Sequence, residues 1–266
     1  MIVAKYGAVW KVTLLGSLVY RGDVLIRSIS MGMILFVFVQ LWTTTFTLGA
    51  FQTIAGFDLR DLLWYLVITE VAVLSAGSQG ISQRIDQDVK SGELARVLVR
   101  PYSYVAYQFA TSCGETAVRL PLQALLGGLV VWLAVGPPPA GPLAFVGAAV
   151  ALALSLTLSF LIAAGIGLLA FWCEETLPFY WIYQKLVFTL GGLFLPLELL
   201  PSPLADVAGK LPFASIAYAP GRIFVGSSPE VALTQLGSQL VWVGIALAAV
   251  TLIYRRGVRK LNVHGG

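Results

Sequence analysis

Six apolar stretches of roughly 20 residues each are the feature that most constrains how this chain can fold. They cover residues 28–50, 62–81, a stretch ending at Val135, 143–170, 181–200 and 231–254. An α-helix needs about this length to cross the hydrocarbon core of a bilayer. Lipid offers no hydrogen-bond partners, so a spanning backbone must satisfy its own polar groups within a helix. The sequence therefore predicts an all-α integral membrane protein with six transmembrane helices.

The composition excludes the main soluble classes of protein. Only 11% of the 266 residues are charged, whereas a soluble domain carries about 25%. The net charge of +4 is too small to indicate a nucleic-acid partner. With two cysteines and one histidine, we expect neither a disulfide framework nor a metal site. Six spans leave no room for a separate soluble domain of the usual ~100 residues, so we expect one transmembrane domain over residues 1–266.

The basic residues predict the orientation of the helices. With both termini in the cytoplasm, thirteen of the 17 Lys and Arg residues fall in cytoplasmic segments and three in external ones. An excess of basic residues on the cytoplasmic side is the rule for membrane proteins. Segments 82–103 and 171–180 are then cytoplasmic, and segment 201–230 is external.

The N-terminal segment 1–27 does not have the pattern of a signal peptide. Its charged residues are spread through a moderately apolar stretch instead of preceding a compact apolar region. Several apolar residues fall roughly on one helical face, which favours a helix lying in the membrane interface. A cytoplasmic extension of the first span remains the alternative.

The polar segment 82–103 has the pattern of a short amphipathic element. Apolar residues four apart share a helical face, and the pairs are Ile85 with Val89 and Leu94 with Leu98. Gly92 permits a bend between the two pieces, and Pro101 ends the second one. Such an element is suited to pass motion from a cytoplasmic partner to both flanking spans, although a solvated helix without a partner has the same spacing.

The run DVKSGELARVLVRPYS resembles the loop between the second and third spans in permease subunits of type-two bacterial ABC exporters. The matching positions are Gly92, Glu93, Leu94, Leu98, Arg100 and Pro101. The stretch 196–226 is also similar to the family segment that follows the fifth span. Its matching positions are Pro196, Pro201, Leu211, Pro212, Phe213, Tyr218 and Pro220. The six-span layout resembles the compact subfamily that lacks a fused ATPase or a large external domain.

This resemblance implies a permease subunit that exports an amphiphilic substrate, such as a drug or a lipid, across the bacterial inner membrane. It implies a dimer with a second permease, identical or related, and two cytoplasmic ABC ATPase subunits docked through segment 82–101. Glu174 and Glu175 are the expected minor contact. The chain has no phosphate-binding loop of the form GxxxxGK followed by Ser or Thr. We therefore expect no cofactor on this chain, with ATP and Mg²⁺ bound by the partner ATPase.

The ionisable residues Glu70, Glu115 and Arg119 fall inside or near the predicted spans. Glu70 lies near the centre of the second span, where a charge is costly. We expect it on the translocation path, where it would favour cationic amphiphiles, or else as a protonated or paired residue that fixes helix packing. Glu115 and Arg119 are four residues apart and are expected to pair at the membrane edge.

The external segment 201–230 is expected to form short helices that dip into the outer leaflet, because its prolines exclude one long helix. The resemblance implies an external cap above the exit route. The residues expected to form this cap are Pro196, Pro201, Pro212, Phe213, Tyr218 and Pro220.

Three other classes of protein are alternatives to the exporter. An intramembrane protease would need a histidine within a span; Ser78 in AGSQG suits such a site, but no span contains a histidine. A secondary carrier commonly shows internal repeats, and no clear repeat is visible here. A scaffold without transport activity differs from the exporter in having no ATPase partner.

Overall fold

The computed structural model describes residues 2–19, 21–98, 102–226 and 228–264, and within these it contains helices and loops but no β-strand. The α-helices are α1 (Ile2–Val19), α2 (Arg21–Leu48), α3 (Leu59–Ala76), α4 (Ser78–Lys90), α5 (Glu93–Leu98), α6 (Tyr104–Val135), α7 (Pro142–Leu168), α8 (Leu177–Leu190), α9 (Ser202–Lys210), α10 (Pro212–Ile216), α11 (Tyr218–Phe224) and α12 (Pro229–His264). Two 3₁₀ turns lie at Leu169–Phe171 and Leu197–Leu199. The predicted all-α class is confirmed.

Within the described residues, four helices are long and apolar enough to cross a membrane. They lie at 28–48, 104–135, 142–171 and 229–260 and coincide with the first, third, fourth and sixth predicted spans. Large apolar side chains cover their outer surfaces; Leu133 and Leu143, for example, are 82% and 80% exposed. An apolar outer surface of this kind is stable in lipid and unfavourable in water, which is consistent with a multi-pass membrane protein.

The other two predicted spans differ from the observed helices. The stretch 62–81 is not one helix, because Gly77 has a left-handed backbone (φ +58°) that ends α3 and begins α4. The prediction of a helix over 181–200 is wrong in its second half, because α8 ends at Leu190 and Gly192 has φ +73°. Glycine is the residue that adopts such angles without strain. With 14 residues, α8 alone is shorter than the ~30 Å hydrocarbon core.

The centre of the fold is α3, which is buried without interruption from Leu62 to Ala72. It packs against α2, α6, α7 and α11. The Tyr65 hydroxyl donates a hydrogen bond of 2.5 Å to the carbonyl of Gly192, and the Ser75 hydroxyl donates one of 2.6 Å to Oε1 of Gln123 in α6. These bonds satisfy polar groups that the apolar surroundings would otherwise leave without partners.

The predicted N-terminal segment is a separate helix, α1, which packs along α6. The two backbones come close at Gly114, where a Cβ atom would lie 2.8 Å from the carbonyl oxygen of Trp10. The amide of Ser103 also donates a hydrogen bond of 3.0 Å to the Tyr6 hydroxyl. Helix α2 begins at Arg21, earlier than the predicted start of the first span, and Tyr20 lies outside the described residues.

The segment between α8 and α12 forms short helices, as the prolines predict. Helices α10 and α11 are buried from Ala214 to Gly221 and pack against α3, α7 and α12. The side-chain amide of Gln239 in α12 donates hydrogen bonds to the carbonyls of Ser215 (2.8 Å) and Ala151 (3.0 Å). The two helices are therefore part of the interior of the protein.

Candidate coupling surface and helix-break cavity

The inner face of α4 is apolar and packs closely against α7. Its buried side chains are Ile81, Ile85 and Val89. The contact with α7 depends on Gly167, where a Cβ atom would lie 2.6 Å from the carbonyl oxygen of Ser82 and 2.8 Å from Cβ of Ile85. Such an approach leaves no room for a side chain at position 167. Ile85 and Val89 therefore anchor the element and do not face a partner.

Polar contacts hold the end of α4 to α6. Oδ2 of Asp88 accepts hydrogen bonds from the Tyr104 hydroxyl at 2.6 Å and from Nε2 of Gln108 at 2.8 Å. A carboxylate that accepts two hydrogen bonds makes a stronger contact than a neutral pair would. Motion of α4 is thereby tied to the first turns of α6.

A second polar contact joins α4 to the loop before α8. Oδ1 of Asp86 accepts a hydrogen bond of 2.8 Å from the Thr176 hydroxyl, and Oδ2 lies 2.8 Å from Nζ of Lys90. The hydrogen bond to Asp86 raises the pKa of Lys90, with smaller contributions from Glu175 and Glu174. The two predicted ATPase contacts, segment 82–101 and Glu174 with Glu175, thus lie next to each other.

Helix α5 follows a sharp bend at Gly92, whose φ of +75° confirms the predicted bend. Leu94 and Val97 are buried in the same apolar cluster as the inner face of α4. The exposed side carries an ion pair between Glu93 and Arg96 at 2.7 Å. Of the other predicted coupling residues, the side chain of Leu98 and all of Arg100 and Pro101 lie outside the described residues.

The outer side of this region is polar and accessible. We call it the coupling surface; its exposed residues are Gln83, Gln87, Lys90, Ser91, Ala95, Arg96, Glu174 and Glu175. An exposed polar face on an element that is anchored to several helices is suited to receive a soluble partner and to transmit its motion.

A cavity of about 630 Å³ lies at the break between α3 and α4, and we call it the helix-break cavity. Glu115 lies in its wall and forms two ion pairs, with Arg119 at 2.5 Å and with Arg84 at 2.9 Å. The first is the predicted pair, and the second joins α6 to α4. The Arg119 guanidinium occupies the space beside Gly77, where a Cβ atom would lie 1.6 Å from Nη1.

Glu70 is separate from this ionic cluster. It lies in α3, is 3% exposed and is not among the residues that line the helix-break cavity. Within the described part of the chain, the structure gives its carboxyl group no hydrogen-bond or ion-pair partner.

The predicted cap residues mostly mark helix ends. Pro201 and Pro212 stand at the starts of α9 and α10, whereas Pro220 lies within α11. Pro196 precedes the 3₁₀ turn, and Phe213 lies in α10. The Tyr218 hydroxyl donates a hydrogen bond of 2.7 Å to Oε1 of Glu198, which also accepts one of 3.0 Å from Nε of Arg222.

Residues 28–265 match the family model described as ABC-2 family transporter protein. The chain belongs to the ABC-2 transporter family. The resemblance seen in the sequence is thereby confirmed. As an ABC-2 protein the chain is a membrane-transport subunit of the ABC class, and permeases of this family generally work with ATPase subunits. No curated protein matches the chain.

Several residues that shape the site of this ABC-2 permease were missed by sequence reasoning. Asp86, Asp88 and Thr176 hold α4 in place, and Arg84 completes the ion cluster. The spacing of Asp86 and Lys90, four residues apart, indicates their pairing. The partners Thr176 and Glu115 are distant in sequence, so spacing gives no signal for them.

Proposed function

We propose that this chain is the permease subunit of an ATP-driven ABC exporter that moves an amphiphilic substrate across the bacterial cytoplasmic membrane. The chain forms a single transmembrane domain that crosses the membrane six times, with both termini in the cytoplasm. The four long helices make four of the crossings. Helix α3 and helix α8, extended by residues 191–200, make the other two.

The observation that carries this proposal is the anchoring of the coupling surface. Helix α4 joins α3 through one residue, packs on α7, is hydrogen-bonded to α6 and is linked through Thr176 to the loop before α8. A force on its exposed face therefore reaches four helices at once. Moving a two-state gate from mostly closed to mostly open takes about 5.5 kcal/mol of differential stabilisation. Because α4 is bonded to several helices, it can transmit such a free-energy difference without deforming.

Two cytoplasmic ATPase subunits supply this energy by binding ATP and Mg²⁺, and each docks on one permease of a dimer. The second permease is an identical or a related chain. Contact with the ATPase falls on the exposed residues of the coupling surface, including Glu174 and Glu175, and Arg100 adds a polar contact. Leu94 supports the surface from within, because it is fully buried.

The test is assembly and ATP-driven transport by the permease co-expressed with its ATPase. Ala95→Trp places a bulky side chain on the exposed side of α5, and we expect loss of ATPase co-purification and of transport. Asp206→Trp, on the exposed side of α9, is the matched control and is expected to behave like the wild type. Normal assembly and transport of the Ala95→Trp variant would contradict docking at this surface. Leu94→Asp is a poorer probe because a buried charge would disrupt the fold itself.

Glu70 is the proposed polar point on the translocation path. Its carboxyl group has no partner in the described residues and lies in an apolar span. Burial of such a group is costly, and ionisable residues within spans commonly mark functional sites. Glu70→Gln keeps the shape and removes the acid, so we expect weaker export of cationic amphiphiles at normal protein abundance. Unchanged export of every cationic substrate would leave Glu70 with a packing role alone.

A further inference from the structure

The helix-break cavity has no role in the proposed coupling. Residues of α1, α3, α4, α6, α7, α8 and α10 line it. Its volume of about 630 Å³ falls in the range of pockets that bind drug-sized molecules, about 300–1,000 Å³. The residues in its walls indicate which class of ligand it would bind.

One side of the cavity carries a net positive charge. Arg84 and Arg119 both pair with the same carboxylate, that of Glu115, so the three groups together carry one positive charge. A guanidinium group has five N–H donors in a planar fork, and the ion pair of Arg84 with Glu115 is made through one of its nitrogen atoms, Nη2. Two guanidinium groups facing one space are a common arrangement for binding phosphate or carboxylate.

The same wall contains the beginning of α4. Gly77, Ser78, Gln79 and Gly80 line the cavity, and no side chain caps this end of the 13-residue helix. The N-terminus of a helix carries a partial positive charge and amides that point outward. An anion in this part of the cavity would therefore be stabilised by the helix as well as by the two arginines.

Ser159 in α7 adds a buried hydroxyl to this wall. It lines the cavity and is 1% exposed. The Tyr183 hydroxyl interacts with both Ser159 and Ser78. A hydroxyl group can donate one hydrogen bond and accept two, so Ser159 also has the capacity to bond to an oxygen atom of a ligand head group.

The rest of the cavity wall is apolar. Its apolar residues include Val73, Leu74, Val187, Phe188 and Ile216. A free inorganic anion has no use for such a surface, whereas a hydrocarbon chain gains free energy by covering it. The combination of a cationic end and an apolar wall indicates a ligand with a charged head and an apolar body.

We propose that the helix-break cavity binds a membrane amphiphile through an acidic, phosphate-bearing head group. The head group contacts Arg84, Arg119, the first turn of α4 and Ser159. The apolar body lies along the wall formed by α3 and α8. This binding site is independent of which substrate the chain exports and of whether an ATPase docks on the coupling surface.

The test is native mass spectrometry of the purified full chain in a neutral detergent. The probes are dioleoyl phosphatidylglycerol, dioleoyl phosphatidylcholine and inorganic phosphate. The two lipids share their acyl chains, so a difference between them reports the head group. We expect the anionic lipid to bind at least about tenfold more tightly than the zwitterionic one, and millimolar inorganic phosphate to leave it bound. Equal binding of the two lipids would overturn the proposal, and so would displacement by phosphate, which would indicate a site for a free anion.

Substitutions in the cavity wall test whether phosphatidylglycerol binds in this cavity. Arg84→Gln and Arg119→Gln are each expected to weaken phosphatidylglycerol binding roughly tenfold. Glu115→Gln raises the charge of the cluster and is expected to tighten binding. Arg222→Gln, which removes an arginine paired to Glu198 outside the cavity, is the matched control and should leave binding unchanged.

Ser159→Ala keeps the proposal falsifiable if the charge variants fold poorly. It removes one small hydroxyl from the cavity wall, whose neighbour in the protein is the Tyr183 hydroxyl. We expect little change in thermal stability without lipid and roughly threefold weaker phosphatidylglycerol binding. Unchanged lipid binding of this variant would overturn the placement of the head group beside Ser159.

Discussion

Two pairs of short helices in this molecule are held in different ways. The pair α4 and α5 bends at Gly92, and the pair α10 and α11 begins at Pro212. The first pair buries one face and leaves the other polar and accessible. The second is buried on nearly all sides between α3, α7 and α12.

The difference shows where each pair tolerates change. Helix α4 is fixed to its neighbours by side-chain contacts of Asp86 and Asp88 and by one close approach to α7. Helices α10 and α11 are fixed by packing without space for added atoms, and by the Ser155 hydroxyl, which donates to the carbonyl of Ile216. We therefore expect substitutions to cost more stability in the second pair and to affect coupling more selectively in the first.

Gly221→Ala in α11 is expected to have the largest effect on stability. A Cβ atom there would lie 2.8 Å from Cδ2 of Tyr65 and 2.8 Å from Cγ2 of Thr69. Tyr65 cannot move freely because its hydroxyl is bonded to Gly192, so we expect a loss of about 2–3 kcal/mol. Thermal unfolding in detergent measures it. The control is Gly237→Ala in α12, which meets no atom within 4 Å; a similar loss there would show that packing at α11 is not the cause.

Gly167→Ala is expected to have the next largest effect, because it pushes α4 away from α7. The loss of stability should be about 1–2 kcal/mol, with a larger loss of ATP-driven transport than of protein abundance. Gly165→Ala is a closely matched control, since its Cβ atom would make only an ordinary contact of 3.5 Å with Val250. Equal transport by the two variants would argue against α4 as the transmitting element.

The bond between Asp86 and Thr176 can be measured with a double-mutant cycle. Asp86→Ala, Thr176→Val and the double variant are compared by chemical unfolding. We expect an interaction energy of about 1 kcal/mol, because each single change already breaks the same hydrogen bond. Strictly additive losses would mean that this bond does not tie the second loop to α4.

The exposed pair Glu93 and Arg96 should contribute least to stability. The Arg96 side chain is 76% exposed, and such ion pairs contribute less than about 0.5 kcal/mol. Glu93→Ala and Arg96→Ala should therefore unfold like the wild type while they weaken ATPase binding. A marked loss of stability without loss of ATPase binding would contradict the expectation that substitutions in α4 and α5 affect coupling more than stability.

Much of this fold could be predicted because the sequence features that determine it lie close together in the chain. The prolines and glycines after Val135 mark the end of α6 and the start of α7, and they predict both boundaries to within a residue or two. The bend at Gly92 and the pair of Glu115 with Arg119 also follow from short-range spacing.

The features that were missed depend on contacts between distant residues or on ambiguous glycines. Gly77 lies inside an apolar run, where glycine is common in membrane helices, so its left-handed conformation is not visible in the sequence. Arg84 reaches Glu115 across 31 residues of sequence. The burial of α10 and α11 arises from the shape of their neighbours, whereas the family resemblance implied an external cap.

The conformation of Gly77 restricts which substitutions the chain can accept together. A side chain there would collide with the Arg119 guanidinium, and the positive φ would be strained as well. Replacing Gly77 by Asn or Asp, which tolerate this backbone angle best among the other residues, therefore requires a smaller residue at position 119. In a library that randomises both positions, surviving clones should show this compensation.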